Sequence, residues 1–172
     1  MRDRYYGIIA DDVINGEGIC VSFFCMGCEH HCPGCHNKAA WSTDPNAGKK
    51  LPDDYLEQIL HLISKNGIQR NFSMLGGEPL LDINRELVLT ILKKVKETYP
   101  TIKIYLWTGY VWETIIDQLL VRDIMKYVDV LIDGPFILEK RDISLFLRGS
   151  DNQRVIDVQK TIKSNNIVIY HE

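Results

Sequence analysis

What this chain lacks is a spread of cysteines. None precedes Cys20 and none follows Cys35 in 172 residues, and the total of five is odd. A disulfide framework distributes its half-cystines through the fold, so bunching with an odd count argues against one. Long apolar runs are also missing; none approaches the length of a membrane span. Neither sign of charge dominates: the net charge is -3 with 25% charged residues, which removes the general electrostatic argument for nucleic acid. The opening stretch MRDRYYGIIADDVINGEG has no positive flank followed by a long apolar segment. The expectation is therefore no signal peptide, no membrane, and a place in the cytoplasm, where thiols stay reduced. Repeats, low-complexity tracts and linkers are absent. With 45% hydrophobic residues, the length suits a single domain over residues 1–172 whose core needs no covalent staple.

What is present alternates between strand-like and helix-like segments. GICVSFFCMG is short and apolar, and predicts a strand over Ile19–Phe24. Leu56, Ile59, Leu60 and Ile63 fall at helical spacing between a capping Asp53 or Asp54 and the stop at Gly67. NFSML reads as a strand broken by GGEP, and INRELVLTILKKVKETYP as a second amphipathic helix. IKIYLW is a strand, TGYVWETIIDQLL a turn leading into a helix, and VDVLIDG a strand apolar enough for a sheet covered on both faces. RVIDV and IVIYHE read as late strands. The alternation predicts an α/β fold with parallel strands, which puts CMGCEHHCPGCHN, LGGEP and TGY at one common C-terminal edge.

The chemistry concentrates in Cys25–Asn37. Four thiolates at Cys25, Cys28, Cys32 and Cys35 would suit a structural zinc ion. Three, Cys28, Cys32 and Cys35, would suit a [4Fe-4S] cluster with one iron left open to a small molecule. Spacing alone leaves both open. Gly76 and Gly77 can turn sharply and expose backbone polar groups, and Asp129 and Asp133 share one face of their strand.

The loop CEHHCPGC resembles the CX3CX2C loop of the radical S-adenosylmethionine enzymes. NGEGICVSFFCMGCEHHCPGCHNKAAW resembles the activating enzymes of glycyl-radical enzymes, and LGGEPL their GGE motif. YLWTGYVWE and DVLIDGPFILEKRDISLFLRGSDNQRVIDV resemble the subgroup that acts on anaerobic ribonucleoside-triphosphate reductase, although His36 stands where that subgroup more often has Tyr, and Leu147 where Phe is expected.

The resemblance implies a partial, TIM-like β/α barrel. Cys28, Cys32 and Cys35 would hold a [4Fe-4S] cluster, with Cys25 outside the ligand set. S-adenosylmethionine would sit against Gly76, Gly77 and Glu78, with Asn37 and His36 near the nucleoside and Thr108, Gly109 and Tyr110 closing the pocket. Asp133 and Arg148 would help to position substrate. His30 and His31 are expected at the surface, and Trp41, Trp107 and Trp112 in the core. The implied partners are the large subunit of the anaerobic ribonucleoside-triphosphate reductase and a reduced flavodoxin or ferredoxin. Rival readings are an activase of pyruvate formate-lyase and a non-catalytic zinc protein that binds a partner.

Overall fold

The computed structural model describes residues 3–170. Strand β1 (Arg4–Asp12) runs antiparallel to β2 (Cys20–Cys25), and the two-residue β3 (Lys49–Lys50) pairs with the start of β1. Helix α1 (Tyr55–Ser64) leads to β4 (Asn71–Gly76), and α2 (Asp82–Thr98) leads to β5 (Ile104–Trp107). Two short helices, α3 (Trp112–Ile115) and α4 (Val121–Met125), precede β6 (Val130–Asp133); β7 (Arg154–Asp157) and α5 (Val158–Ser164) follow. The sheet order is β3-β1-β2-β4-β5-β6-β7. Its centre, β2 to β6, is parallel, whereas β7 returns antiparallel to β6. The sheet stays open, as a partial barrel flanked by helices.

Alternation along the strands builds two unlike faces. Val21, Phe23 and Cys25, with Phe72 and Met74, Ile104 and Leu106, and Leu131, point to the helices. They meet Ile59 and Ile63 of α1 and the stripe Leu87, Val88, Ile91, Leu92 and Val95 of α2. Each such side chain contributes about 1.5–3 kcal/mol on burial, so this layer holds the fold. The intervening residues face the concave side. There Cys20, Tyr105, Val130, Ile132 and Val155 form a smaller apolar cluster.

A polar plug closes the strands' N-terminal end. Glu17 Oε2 accepts from Lys103 Nζ at 2.7 Å, Tyr105 OH at 2.5 Å and Tyr170 OH at 2.6 Å. Burial alone would raise the Glu17 pKa, but these three donors outweigh it and hold the carboxyl at about 2. The pKa is depressed, so the stabilisation is complete above the ordinary value of 4.5 and is lost as pH falls towards about 2. Between pH 5 and pH 2.5 the native chain is expected to lose on the order of 1–2 kcal/mol from this site, after allowance for solvent screening. Urea titrations of the wild type and Glu17→Gln should converge at the acid end of that window.

Several expectations are corrected by the fold. β1 was not foreseen, because its pairing with β2 is interrupted by irregularities after Tyr5 and Ile9 that blur the period of two. The helix expected within TGYVWETIIDQLL is confined to α3; α4 lies beyond that stretch and starts after Leu120, whose φ of +65° lies in the left-handed region. RVIDV is antiparallel, not parallel, and its last residue, Val158, opens α5. Asp157 caps that helix by accepting from Lys160 N, a signal of the kind that marks helix starts. IVIYHE makes no regular strand over its described part; Ile169 contributes an isolated bridge to Ile156, and His171 and Glu172 lie outside the described residues.

Candidate functional site

Parallel strands β2, β4 and β5 end on one edge, so their loops become neighbours. The cysteine loop leaves β2 at Cys25 and is closed at its neck: Gly27 N donates to Ala40 O at 2.7 Å, and Cys28 N to Trp41 O at 3.0 Å. Within it, Cys35 N donates to Cys32 O at 3.0 Å, and Asn37 N reaches Cys35 Sγ at 3.4 Å. The glycine loop is fastened to the same neck, with Gly77 N donating to Cys25 O at 2.9 Å and Glu78 N to Gly27 O at 2.7 Å. The approach is close enough to require glycine: a Cβ on Gly77 would stand 2.4 Å from Gly27 O.

Glu78 ties the three loops together. Its side chain is 1% exposed. Oε1 accepts from Leu80 N at 2.8 Å and from Thr108 Oγ1 at 2.8 Å. Oε2 accepts from Gly109 N at 2.8 Å and from His30 Nε2 at 2.9 Å. His30 is thus not the surface residue expected from the sequence. Its bond to Glu78 raises the imidazole pKa against the opposing effect of burial, which favours the imidazolium as donor. The ring also meets Tyr110 edge-on at 4.5 Å, and Tyr110 OH donates to Glu29. Tyr110 therefore packs against the cysteine loop. His31 is exposed, as expected, and tilts against Trp41.

These loops wall a cleft of about 1360 Å³ on the concave side of the sheet. That is larger than the ~300–1,000 Å³ of most small-molecule pockets. Cys28, Cys32 and Cys35 line it, as do His36 and Asn37. So do Gly76, Gly77 and Glu78 from the second loop, Thr108 and Gly109 from the third, and Arg148 from the segment between β6 and β7. Asp133 takes another position. It is buried, accepts from Trp112 N at 2.8 Å and pairs with Arg154, whose Nε is 3.0 Å away. This joins β6 to β7 and α3. Arg148 Nη1 donates to Gln153 O at 2.9 Å, while its Nε is buried without a partner. Of the tryptophans, Trp112 is in the helix-side core and Trp107 packs against the smaller apolar cluster, as expected, while also lining the cleft; Trp41 lines the cleft without joining either cluster. Phe24 and Leu75 line it too; the strand period could have marked them as inner-face residues.

Cys25 points the other way. It lies in the helix-covered core with Sγ 3.5 Å from Met74 Sδ, so it does not share a wall with Cys28, Cys32 and Cys35. Among the described residues no three Cys, His, Asp or Glu side chains form a grouping for one metal ion. A [4Fe-4S] cube has a different requirement, since its thiolates bind separate irons. It needs thiols on one wall with space before them. Cys28, Cys32 and Cys35 on the cleft wall fit that requirement. Burial raises the pKa of Cys28 and of Cys32, so metallation would release their protons.

Known proteins match this arrangement over most of the chain. A family model described as a 4Fe-4S single cluster domain matches residues 14–156. The anaerobic ribonucleoside-triphosphate reductase-activating protein of Haemophilus influenzae is 41% identical over 151 residues, which cover 87% of this chain and 95% of that one. The protein of that name from Enterobacteria phage T4 is 38% identical over 152 residues, 88% of this chain and 92% of its own. The one from Escherichia coli strain K12 is 34% identical over 153 residues, 88% and 95% of the two chains. With three of its cysteines on the wall of an open α/β half-barrel and relatives that align along nearly their whole length, the chain belongs to the anaerobic ribonucleoside-triphosphate reductase-activating protein family of the radical S-adenosylmethionine enzymes.

Proposed function

We propose that the chain generates the glycyl radical of an anaerobic ribonucleoside-triphosphate reductase. Cys28, Cys32 and Cys35 would hold a [4Fe-4S] cluster, and S-adenosylmethionine would occupy the cleft in front of it. When bound, the pair supplies one-electron cleavage of the sulfonium and hence a radical able to take hydrogen from a glycine Cα. The observation that carries this reading is the shared cleft: three thiols, the Gly76–Gly77 turn and Asn37 line one cavity while Cys25 faces the opposite layer.

The residues have separate tasks. Backbone carbonyls of the glycine turn are suited to accept from the cofactor's ammonium. Glu78 holds that turn in place, because its own oxygens are already engaged by four donors. Thr108 and Gly109 act through Glu78. His36 and Asn37 line the cleft beside Cys35, where a nucleoside would lie. Phe24, Leu75 and Trp107 give the floor an apolar surface that excludes water from a reactive intermediate. The relatives' names favour the reductase over pyruvate formate-lyase as target. Among the described residues no helix is long and apolar enough to cross a membrane, and the reading adds a reduced flavodoxin or ferredoxin as electron donor.

The test is anaerobic reconstitution with iron and sulfide, followed by dithionite and S-adenosylmethionine. Release of methionine and 5'-deoxyadenosine, and a glycyl-radical EPR doublet on adding the reductase, are the expected results. A reconstituted protein that carries the cluster and cleaves nothing would overturn the reading.

A further inference from the structure

The outer edge of β1 is open. β2 pairs along one side of the strand, but β3 covers the other side at Arg4 and Tyr5 alone, and no strand among the described residues continues that pairing to Asp12. Sheet edges left bare present unpaired backbone groups, and proteins commonly blunt them with lysine, proline or inward charge. Tyr6-Gly7-Ile8-Ile9-Ala10 carries no lysine, proline or charge; bulges, which also blunt an edge, fall only at its two ends, where the pairing shifts register between Tyr5 and Gly7 and between Ile9 and Asp12. Tyr6 is 40% exposed and Ile9 47%.

Gly7 adds an independent observation. It does not take a left-handed φ, and a Cβ built on it would meet nothing within 4 Å. No left-handed turn and no internal crowding calls for glycine there, and the register shift that follows Tyr5 ends at it. A glycine in a strand interior often marks a bulge, as the shift after Tyr5 does here, or the close approach of another backbone, which the open space beside Gly7 allows. The edge also continues into the site, since Tyr6, Gly7, Ile8 and Ile9 line the same cleft as Cys28, Cys32 and Cys35. The lining of that cleft also holds the cations Arg141, Arg148 and Lys49 against one exposed carboxylate, Asp142, in a chain whose net charge is -3.

We infer that the target segment of the reductase enters the cleft as an added strand along the Tyr6–Ala10 edge of β1. This rests on the proposed function and specifies how the protein substrate is held. Backbone pairing suits a reaction whose target is a backbone Cα, because it fixes the main chain whatever the side chains are. Open space at Gly7 suits a segment of small residues. The excess of Lys49, Arg141 and Arg148 over Asp142 in the lining suits neutral or acidic flanks.

Two measurements on the full chain test this. Hydrogen exchange of the apo protein with the reductase large subunit should slow the amides of Tyr6–Ala10 at least tenfold. In the reconstituted enzyme, Gly7→Val suits a strand and fills the open space. It should lower glycyl-radical formation at least tenfold relative to reductase-independent S-adenosylmethionine cleavage. Equal exchange rates with and without reductase would overturn the inference, as would a Gly7→Val enzyme that makes the radical in wild-type proportion to cleavage. Protection that rises with the chain's own concentration in the absence of reductase would assign the edge to a second copy and also overturn it. A wild type that cleaves the cofactor but never forms the radical on the reductase would instead defeat the functional reading.

Discussion

Glu78→Ala is expected to destabilise the chain by roughly 3–5 kcal/mol even with no cluster or cofactor present. The carboxylate accepts from Leu80 N, Thr108 Oγ1, Gly109 N and His30 Nε2, and is nearly inaccessible to water. Alanine leaves all four donors without an acceptor. His30, whose pKa is raised by this contact, loses its carboxylate partner. Glu78→Gln keeps the shape but puts an amide NH2 where two donors converge, so an intermediate loss is expected. For a chain of this length each kcal/mol moves Tm by about 2–4 °C, and the alanine variant should melt roughly 10 °C below the wild type. Calorimetry of the apo protein is the direct check. If Glu78 acted chiefly as a ligand for the cofactor's ammonium, apo stability would not change and only cofactor binding would suffer. The hydrogen-bond geometry predicts the reverse order: loss of the apo fold first, and loss of cleavage as its consequence.

The contrast shows what was legible in the sequence. That GGEP would be a loop at the C-terminal end of a strand followed from the apolar run NFSML and two glycines. The convergence of the three loops followed from parallel strands, and the structure has it. The division of labour within GGEP was not legible, because it depends on which groups reach Glu78 from Thr108, Gly109 and His30, at separations of about 30 to 48 residues. His30 looked like a solvated residue between two cysteines; its partner lies on another strand's loop. Asp133 looked chemically available beside Gly134. Arg154 and Trp112 N claim it, and pairing across β6 and β7 is invisible to local pattern. β1 escaped detection for a different reason. A strand with an irregular register and one bare edge lacks the clean alternation on which strand recognition depends. The helices were easier, since α1 and α2 bury continuous stripes at 3.6 spacing and need only one covered face.

Cys28 and Cys25 offer a matched pair for the second large effect. Both are buried, at 8% and 1% exposure, so Cys28→Ala and Cys25→Ala should each cost about 1–2 kcal/mol through lost packing. Their consequences for chemistry should diverge completely. Cys28 lines the cleft with Cys32 and Cys35, whereas Cys25 is turned through the sheet towards Met74. Cys28→Ala, like Cys32→Ala and Cys35→Ala, is expected to abolish the visible absorbance of the anaerobically reconstituted protein and to reduce S-adenosylmethionine cleavage to background. Cys25→Ala should retain bound iron near the wild-type level and most of its cleavage. Iron and sulfide analysis, read beside apo Tm, separates loss of a ligand from loss of stability. A four-thiolate zinc site would give a different pattern, with Cys25 as indispensable as the other three and zinc bound in equal amount to protein. That result would require β2 to rotate its last side chain from the helix-covered core to the cleft, against the alternation that places Val21, Phe23 and Cys25 on one face. The same pleat that builds the core thus decides how many thiols the cleft receives. Three thiols would leave one iron of a [4Fe-4S] cube without a protein ligand, the arrangement the proposed function calls for.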